Sequence, residues 1–431
     1  MPIRDSSDVL LCPDQLWDGE SDRAQTGLQV RTQGDEIVEV GADLRIGSAT
    51  RVVPLPGLTL LPGFIDCHVH LIDDDLDTEP AGYQLLNAVP LLRTFLDHGF
   101  TTVRDLGSAD GALNLALQKG VEEGLIPGPR MFVAPNLLSA RGGHGDKTPA
   151  LAQRYGLEVG TLADGADNLR RRVREQARSG ADWIKFAAGG GFSSPADTPL
   201  HVGYTQQEMN ALVATAADRG LPCAAHAFAD EAVQRAVRAG VRSIEHACLA
   251  GAETLALLVE ADTYLVPTQY AQFYYLDRLD DDAFWQDKSP DLRDAYRRHA
   301  PDLRARATLP AASGVTIAFG TDVGMFPHAQ GWREFTTLVA HGLTPLRALQ
   351  AATSTAAGLL QQSRLGHIAP GKAADLVATA GNPLTDIEAT GRVQFVMTRG
   401  HLHRTPAELS SGRLSIPTPS RTGGTPLADV P

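Results

Sequence analysis

The sequence has no CxxC pair, no basic surplus and no long apolar run, and each absence removes a class of function. Its 4 cysteines (Cys12, Cys67, Cys223, Cys248) are scattered over 431 residues. Three of them lie in apolar strand-like runs, which suits buried small hydrophobes better than disulfides or thiolate chemistry. The 38 Lys and Arg stand against 51 Asp and Glu, a net charge of -13. Such a chain has no cationic excess with which to release counterions from phosphate, so no nucleic-acid partner is expected. No stretch approaches the roughly 20 apolar residues of a membrane span. The N-terminus, MPIRDSSDVLLCPDQ, lacks the charged, apolar, small-residue succession of a signal peptide. A cytoplasmic protein with no membrane partner is the expectation.

Glycine and proline are plentiful, 42 and 27 residues, and supply the many short connections of repeated strand–loop–helix units. At this length one large domain with an accessory unit is expected. Residues 1–58 read as short strands between turns, in VLLCPDQLWDG, GLQVRTQGDEIVEVG and RVVPLPG. A second β-rich piece, GKAADLVAT and GRVQFVMTRGHLHR, lies near the other end. Segments 1–58 and 366–408 are therefore expected to pair into one small β-sandwich domain. Residues 409–431, rich in Pro, Ser, Thr and Gly, are expected as a flexible tail.

Over 59–365, apolar strand candidates alternate with helical patterns such as LRRRVREQARSG. The candidates are GLTLLPGFID, GFTTVRDL, PRMFVAPN, ADWIKFAA, LPCAAHA, VRSIEHA, TYLVPTQ and GVTIAFGT. Continuous apolar strands between amphipathic helices indicate a parallel sheet covered on its outer face. Eight such units close a barrel, so the fold expected is α/β, a (β/α)8 TIM barrel beside the β-sandwich.

In such a barrel, chemistry gathers at the C-terminal ends of the strands. His68 and His70 end the first candidate, Lys185 lies in the fourth, His226 ends the fifth, His246 ends the sixth and Asp322 follows the eighth. Side chains two apart on a strand share a face, so His68 and His70 aim two imidazoles at one point. Asp66 shares that face and is placed to orient a ligand histidine. Lys185 is the strongest oddity, because an ammonium in an apolar strand must be paired, neutral or chemically modified. Singly, each group has an ordinary explanation: a surface HxH, a snorkelling lysine, a core histidine bonded to a carbonyl, a GTD that caps a helix. Together they would need six separate explanations, and one two-metal site accounts for all of them.

LLPGFIDCHVHL, ADWIKFAAGGG, CAAHAF, VRSIEHA, AFGTDVG and LGHIAPGKAADLVATAGNPLTDI, in this order and spacing, resemble the amidohydrolase superfamily. Within it the resemblance is to imidazolonepropionase-like hydrolases and to zinc dipeptidases of Xaa–amino acid substrates. It runs from about residue 55 to 400. It implies two divalent ions, zinc by donor type. His68, His70 and Asp322 would hold the more buried ion, His226 and His246 the more exposed one, with a carbamylated Lys185 bridging them. It also implies attack by hydroxide generated between the ions, with Asp322 passing the proton to the leaving amine, and a homo-oligomer.

Two further residues resemble substrate contacts. His144, in LLSARGGHGD, matches a GGHG element suited to hydrogen-bonding the scissile carbonyl. Tyr204, in HVGYTQQEM, resembles a tyrosine that meets the substrate carboxylate in dipeptidase relatives; a tyrosine packed on a helix start gives the same sequence. One departure stands out: many relatives carry HxH at strand five, whereas here His226 is followed by Ala227 and Phe228. An apolar ring at Phe228 favours a more hydrophobic substrate group. The aromatic run Tyr270–Trp285 suits a lid, a pocket wall, an interface or plain helix packing. The function expected is hydrolysis of an amide in small-molecule N-acyl amino acids or dipeptides. The alternatives are a cyclic amide, carbamate, urea or lactone on the same site, and a barrel scaffold without chemistry.

Overall fold

A computed structural model describes residues 8–72, 79–107, 112–148, 159–194 and 197–406. The expected tail, 409–431, lies outside the described residues, as does part of the loop after His70.

Seven of the eight expected strands form where the apolar runs stand: Phe64–Val69, Phe100–Asp105, Arg130–Val133, Ile184–Ala187, Cys223–Ala229, Ser243–Leu249 and Tyr264–Val266. Nearly every residue in them is buried, as strands covered on both faces require. The first three pair in parallel as one sheet, and the other four lie in parallel within a second, six-stranded sheet. Asp182 N donates to Val133 O at 2.9 Å where the two sheets meet.

The eighth segment differs from expectation. GVTIAFGT forms one isolated parallel bridge, Leu265 with Ile317, and Val69 bridges to Val323 just beyond it, rather than a ladder. Its main chain still bonds on both sides: Ala318 N to Leu265 O and Cys67 N to Phe319 O, each 2.9 Å. Gly320 lies in this segment because a Cβ there would come within 2.3 Å of Val266 and 2.8 Å of the His68 Cβ. This close approach lets Asp322 reach the strand-one histidines.

Helices cover the strands through a continuous apolar cluster that includes Phe186, Met209, Leu212, Ala225 and Val233. The helix Gln206–Ala217 starts with a full capping box, Thr205 with Glu208. Among the described residues, no helix is long and apolar enough to cross a membrane.

Both chain ends meet in one hydrogen-bonded sheet of eight strands rather than two separate sheets. Leu376–Ala380 pairs antiparallel with Arg51–Pro62, which also runs parallel to Asp8–Leu16. The expected boundary at residue 58 thus falls inside a strand that runs on to Pro62. Val9, Leu11, Val30, Ile37, Leu55, Phe395 and Met397 fill the core of this sheet. The strand Arg51–Pro62 ends two residues before the first strand of the parallel series, so the β unit sets where that series begins.

Candidate metal centre

Four histidines converge at the strand ends, and each is held through one ring nitrogen. His68 Nδ1 lies 2.8 Å from Glu245 Oε2, and His70 Nδ1 lies 2.6 Å from Gly107 O. His246 Nδ1 lies 2.7 Å from Thr268 Oγ1. His226 is anchored through the opposite nitrogen, Nε2, 3.1 Å from Gly190 O. Anchoring one ring nitrogen to a carbonyl or carboxylate oxygen fixes the ring's orientation and leaves the opposite nitrogen of His68, His70 and His226 as the candidate ligand atom.

Asp322 sits at the meeting point. Its Oδ1 is 3.3 Å from His68 Nε2 and 3.5 Å from His70 Nε2. Ligand atoms from His68, His246 and Asp322 all fall within 4.8 Å of one another. The His226 and His246 ring centroids are 4.7 Å apart, and those of His68 and His246 4.9 Å. Burial alone would raise the Asp322 carboxyl, but His68, His246 and His70 together hold it well below its ordinary range.

Lys185 is 2% exposed, and its Nζ has no hydrogen-bond partner among the described residues. Burial brings its ammonium down to about 8, with Glu245 opposing the shift and Arg104 reinforcing it. Burial also pushes His226 down to about 3, aided by Lys185, and takes His246 well below its usual value, aided by His226. Imidazoles and a carboxylate are donor types that a divalent ion takes, with a buried amine unpartnered among the described residues beside them. The residues present fit such a group.

Sequence reasoning missed the supports beneath the ligands. Glu245 is fully buried; Arg104, the His68 bond and Lys185 outweigh its desolvation and bring it down to about 2. Arg104, also fully buried, donates Nη2 to Glu245 Oε1 at 2.9 Å and Nε to Cys67 O, and lies 4.4 Å over the Trp183 ring. Asp66 was expected to orient a ligand ring; instead it accepts from the His68 main-chain N–H and from the Thr321 N–H and hydroxyl. Glu245 does the orienting. The only available signal was its place, one residue before His246 in VRSIEHA.

The three residues read as substrate contacts are placed unequally. His144 stacks flat on His226, centroids 4.0 Å apart at 8°, with Nδ1 2.8 Å from Ser194 Oγ. Phe228 stacks on His246 at 4.8 Å and meets His226 edge-on at 4.9 Å. It belongs to a buried aromatic cluster with Phe192, Tyr275, Trp285 and Tyr296. Much of the aromatic run is thus packed into a wall beside the ligands. Tyr204 is not brought to the cluster. It packs on Phe186, on the opposite face of its strand from Lys185, among the residues between strands and helices. The charges nearest its hydroxyl are Asp164 and Glu208.

Parallel strands that aim imidazoles, a carboxylate and a buried amine at one point define a candidate metal-dependent hydrolase. The chain belongs to the amidohydrolase family, whose profile matches residues 59–403, and is accordingly a hydrolase of carbon–nitrogen bonds. It is 30% identical over 374 residues to ochratoxinase of Aspergillus niger, covering 80% of this chain and 74% of that protein. A solved Xaa-Pro dipeptidase with methionine bound in its active site superposes with a TM-score of 0.83, at 31% identity over 92% of this chain and 100% of that one. A prolidase in complex with N-methylphosphonate-L-proline gives the same TM-score, at 32% identity over 93% and 100%. These likenesses imply a TIM barrel beside a β domain.

Proposed function

We propose that this protein hydrolyses an amide bond in N-acyl amino acids or dipeptides at a two-metal site. The (β/α)8 barrel would be closed by the eighth segment. One observation carries the reading: four imidazoles, each tied back through one nitrogen, surround the Asp322 carboxylate and the unpartnered Lys185 amine. His68, His70 and Asp322 would hold one ion, His226 and His246 the other, and Lys185, as its carbon dioxide adduct, would join them. Zinc suits the mixture of imidazole and carboxylate donors. When bound, such ions supply Lewis acidity and lower the pKa of water.

The protein's own groups then have defined tasks. Asp322, kept ionised, accepts the proton of the attacking water and returns it to the leaving nitrogen as the C–N bond breaks and the C–O bond forms. His144 Nδ1 is 2.8 Å from the Ser194 hydroxyl; with that hydroxyl donating, Nε2–H would be free to donate to the oxygen on which negative charge grows. Phe228 covers His226 and His246 with an apolar face, which favours a hydrophobic group on that side of the scissile bond.

Metal analysis with an amine-release assay tests this reading. Protein prepared with zinc and bicarbonate is expected to carry near two equivalents and to cleave members of an N-acyl amino acid and dipeptide library. Absence of metal from every preparation would overturn the site. Turnover confined to a lactone or carbamate panel would overturn the substrate class and leave the site intact.

A further inference from the structure

The strand Tyr264–Val266 leads into Thr268, and the helix Gln269–Leu276 begins at the next residue. Thr268 therefore stands at the N-cap, where a threonine hydroxyl ordinarily accepts from an N–H two or three residues on. It makes no such bond here. Its Oγ1 lies 2.7 Å from His246 Nδ1 instead, and its backbone sits at φ 45°, a left-handed conformation that β-branched residues rarely adopt and that is not the extended geometry of a capping residue.

Capping has passed to another element. Glu334, in the helix Arg333–Ala340, is fully buried. Its Oε1 accepts from Gln269 N at 3.0 Å and its Oε2 from Tyr270 N at 2.5 Å. These are two of the orphan donors of the helix's first turn, and a carboxylate there complements the helix dipole. The arrangement is costly. Burial lifts Glu334 to about 8 against those two bonds, with Asp66 adding to the lift. No ion pair with a cation offsets that cost among the described residues.

We propose that Glu334 is a positioning residue for His246: by binding the first two N–H groups of the helix Gln269–Leu276 from outside, it fixes the left-handed turn that sets the Thr268 hydroxyl against the His246 ring. The proposal rests on the reading of His246 as a metal ligand. Glu334 has no role in the chemistry itself. It sets the seat of a residue that has one.

Metal-depleted wild type and the variants His246→Ala, Thr268→Ala, Thr268→Ser, Glu334→Ala and Glu334→Gln are titrated with cobalt(II). Bound equivalents, affinity and the visible d–d spectrum are read, and melting of the depleted proteins reports folding separately. His246→Ala is expected to lose one equivalent. Thr268→Ala and Glu334→Ala are each expected to weaken that same equivalent about tenfold or more, with an altered spectrum, while Thr268→Ser stays close to wild type. Combining Thr268→Ala with Glu334→Ala is expected to weaken binding no further than the worse single change, because both act along one path. Glu334→Ala that melts lower yet keeps wild-type cobalt affinity and spectrum would make Glu334 a cap and nothing more, overturning the proposal. If Glu334→Ala does not fold, Glu334→Gln, which keeps the volume and one acceptor, carries the same comparison. His246→Ala that retains both equivalents would instead remove the ligand assignment on which the proposal stands.

Discussion

Replacing Lys185 by methionine should move folding stability and metal binding in opposite directions. The side chain is 2% exposed with no hydrogen-bond partner at Nζ among the described residues, and burial lowers its ammonium from 10.5 to about 8. A lysine whose folded pKa is depressed binds fewer protons in the native than in the unfolded state between those two values. Its destabilisation is therefore fully present below about pH 8 and fades as pH rises toward 10.5. The shift corresponds to about 3 kcal/mol at pH 7, falling to about 1 kcal/mol at pH 9.5. Methionine keeps the volume and removes the charge. Metal-free Lys185→Met should thus be more stable than metal-free wild type by on the order of 3 kcal/mol in denaturant titrations at pH 7, with the difference shrinking at pH 9.5. The same variant should fail to retain two metal equivalents and should lose amide hydrolysis. A metal-free variant less stable than wild type would mean the lysine is paid back within the protein fold itself. Retention of both ions would show that the bridge lies elsewhere.

Three further substitutions probe separate parts of the site. Glu245→Gln should weaken metal binding 10- to 100-fold, on the order found for partners of ligand histidines, and should cost about 3–5 kcal/mol by leaving Arg104 buried without its counter-charge. Unchanged metal affinity by chelator competition would dismiss its role in seating His68. At Gly191 a Cβ would come 2.1 Å from His144 Nδ1, so Gly191→Ala should lift His144 off His226 and lower kcat with metal content intact; an unchanged kcat would separate His144 from the reaction. Phe228→His should shift kcat/KM toward substrates with a free carboxylate by on the order of tenfold, the size of one hydrogen bond to a charged group. A preference that does not move would place the carboxylate away from Phe228.

Much of the architecture was legible because its signals are local. Continuous apolar runs marked the strands, and both faces of those strands are buried. The candidate ligand residues stood out as polar groups where burial was otherwise expected. The supports were not, because they join distant parts of the chain: Arg104 and Glu245 are 141 residues apart, and His68 and Glu245 are 177 apart. Asp66 was misread for a related reason. Its pattern fits a partner for an imidazole, but the turn at Thr321 supplies three closer donors, counting the His68 N–H. Tyr204 illustrates the reverse error. A tyrosine ahead of a capping box packs on Phe186 beneath the helix, the ordinary outcome for a large ring at a helix start.

At three residues of the candidate site the backbone departs from its preferred conformations. His246, Thr268 and Asp322 lie at φ 73°, 45° and 56°: His246 within the strand Ser243–Leu249, Thr268 two residues beyond the strand Tyr264–Val266, and Asp322 just after the eighth segment. Each such residue costs about 1–3 kcal/mol and persists only where its surroundings over-determine it. Here the surroundings are specific: the Thr268 hydroxyl on His246, the Asp322 N–H bonded to His68 O at 2.8 Å, and the Gly320 contact with Val266 and His68. Strain at the three residues and an unpartnered amine at Lys185 all burden the metal-free protein, and all lie around one point. Ions bound there would offset that burden without requiring the ligands to rearrange, because the anchored imidazoles already hold their free nitrogens in place. The cost is therefore carried before substrate arrives, as preorganised electrostatic catalysis requires.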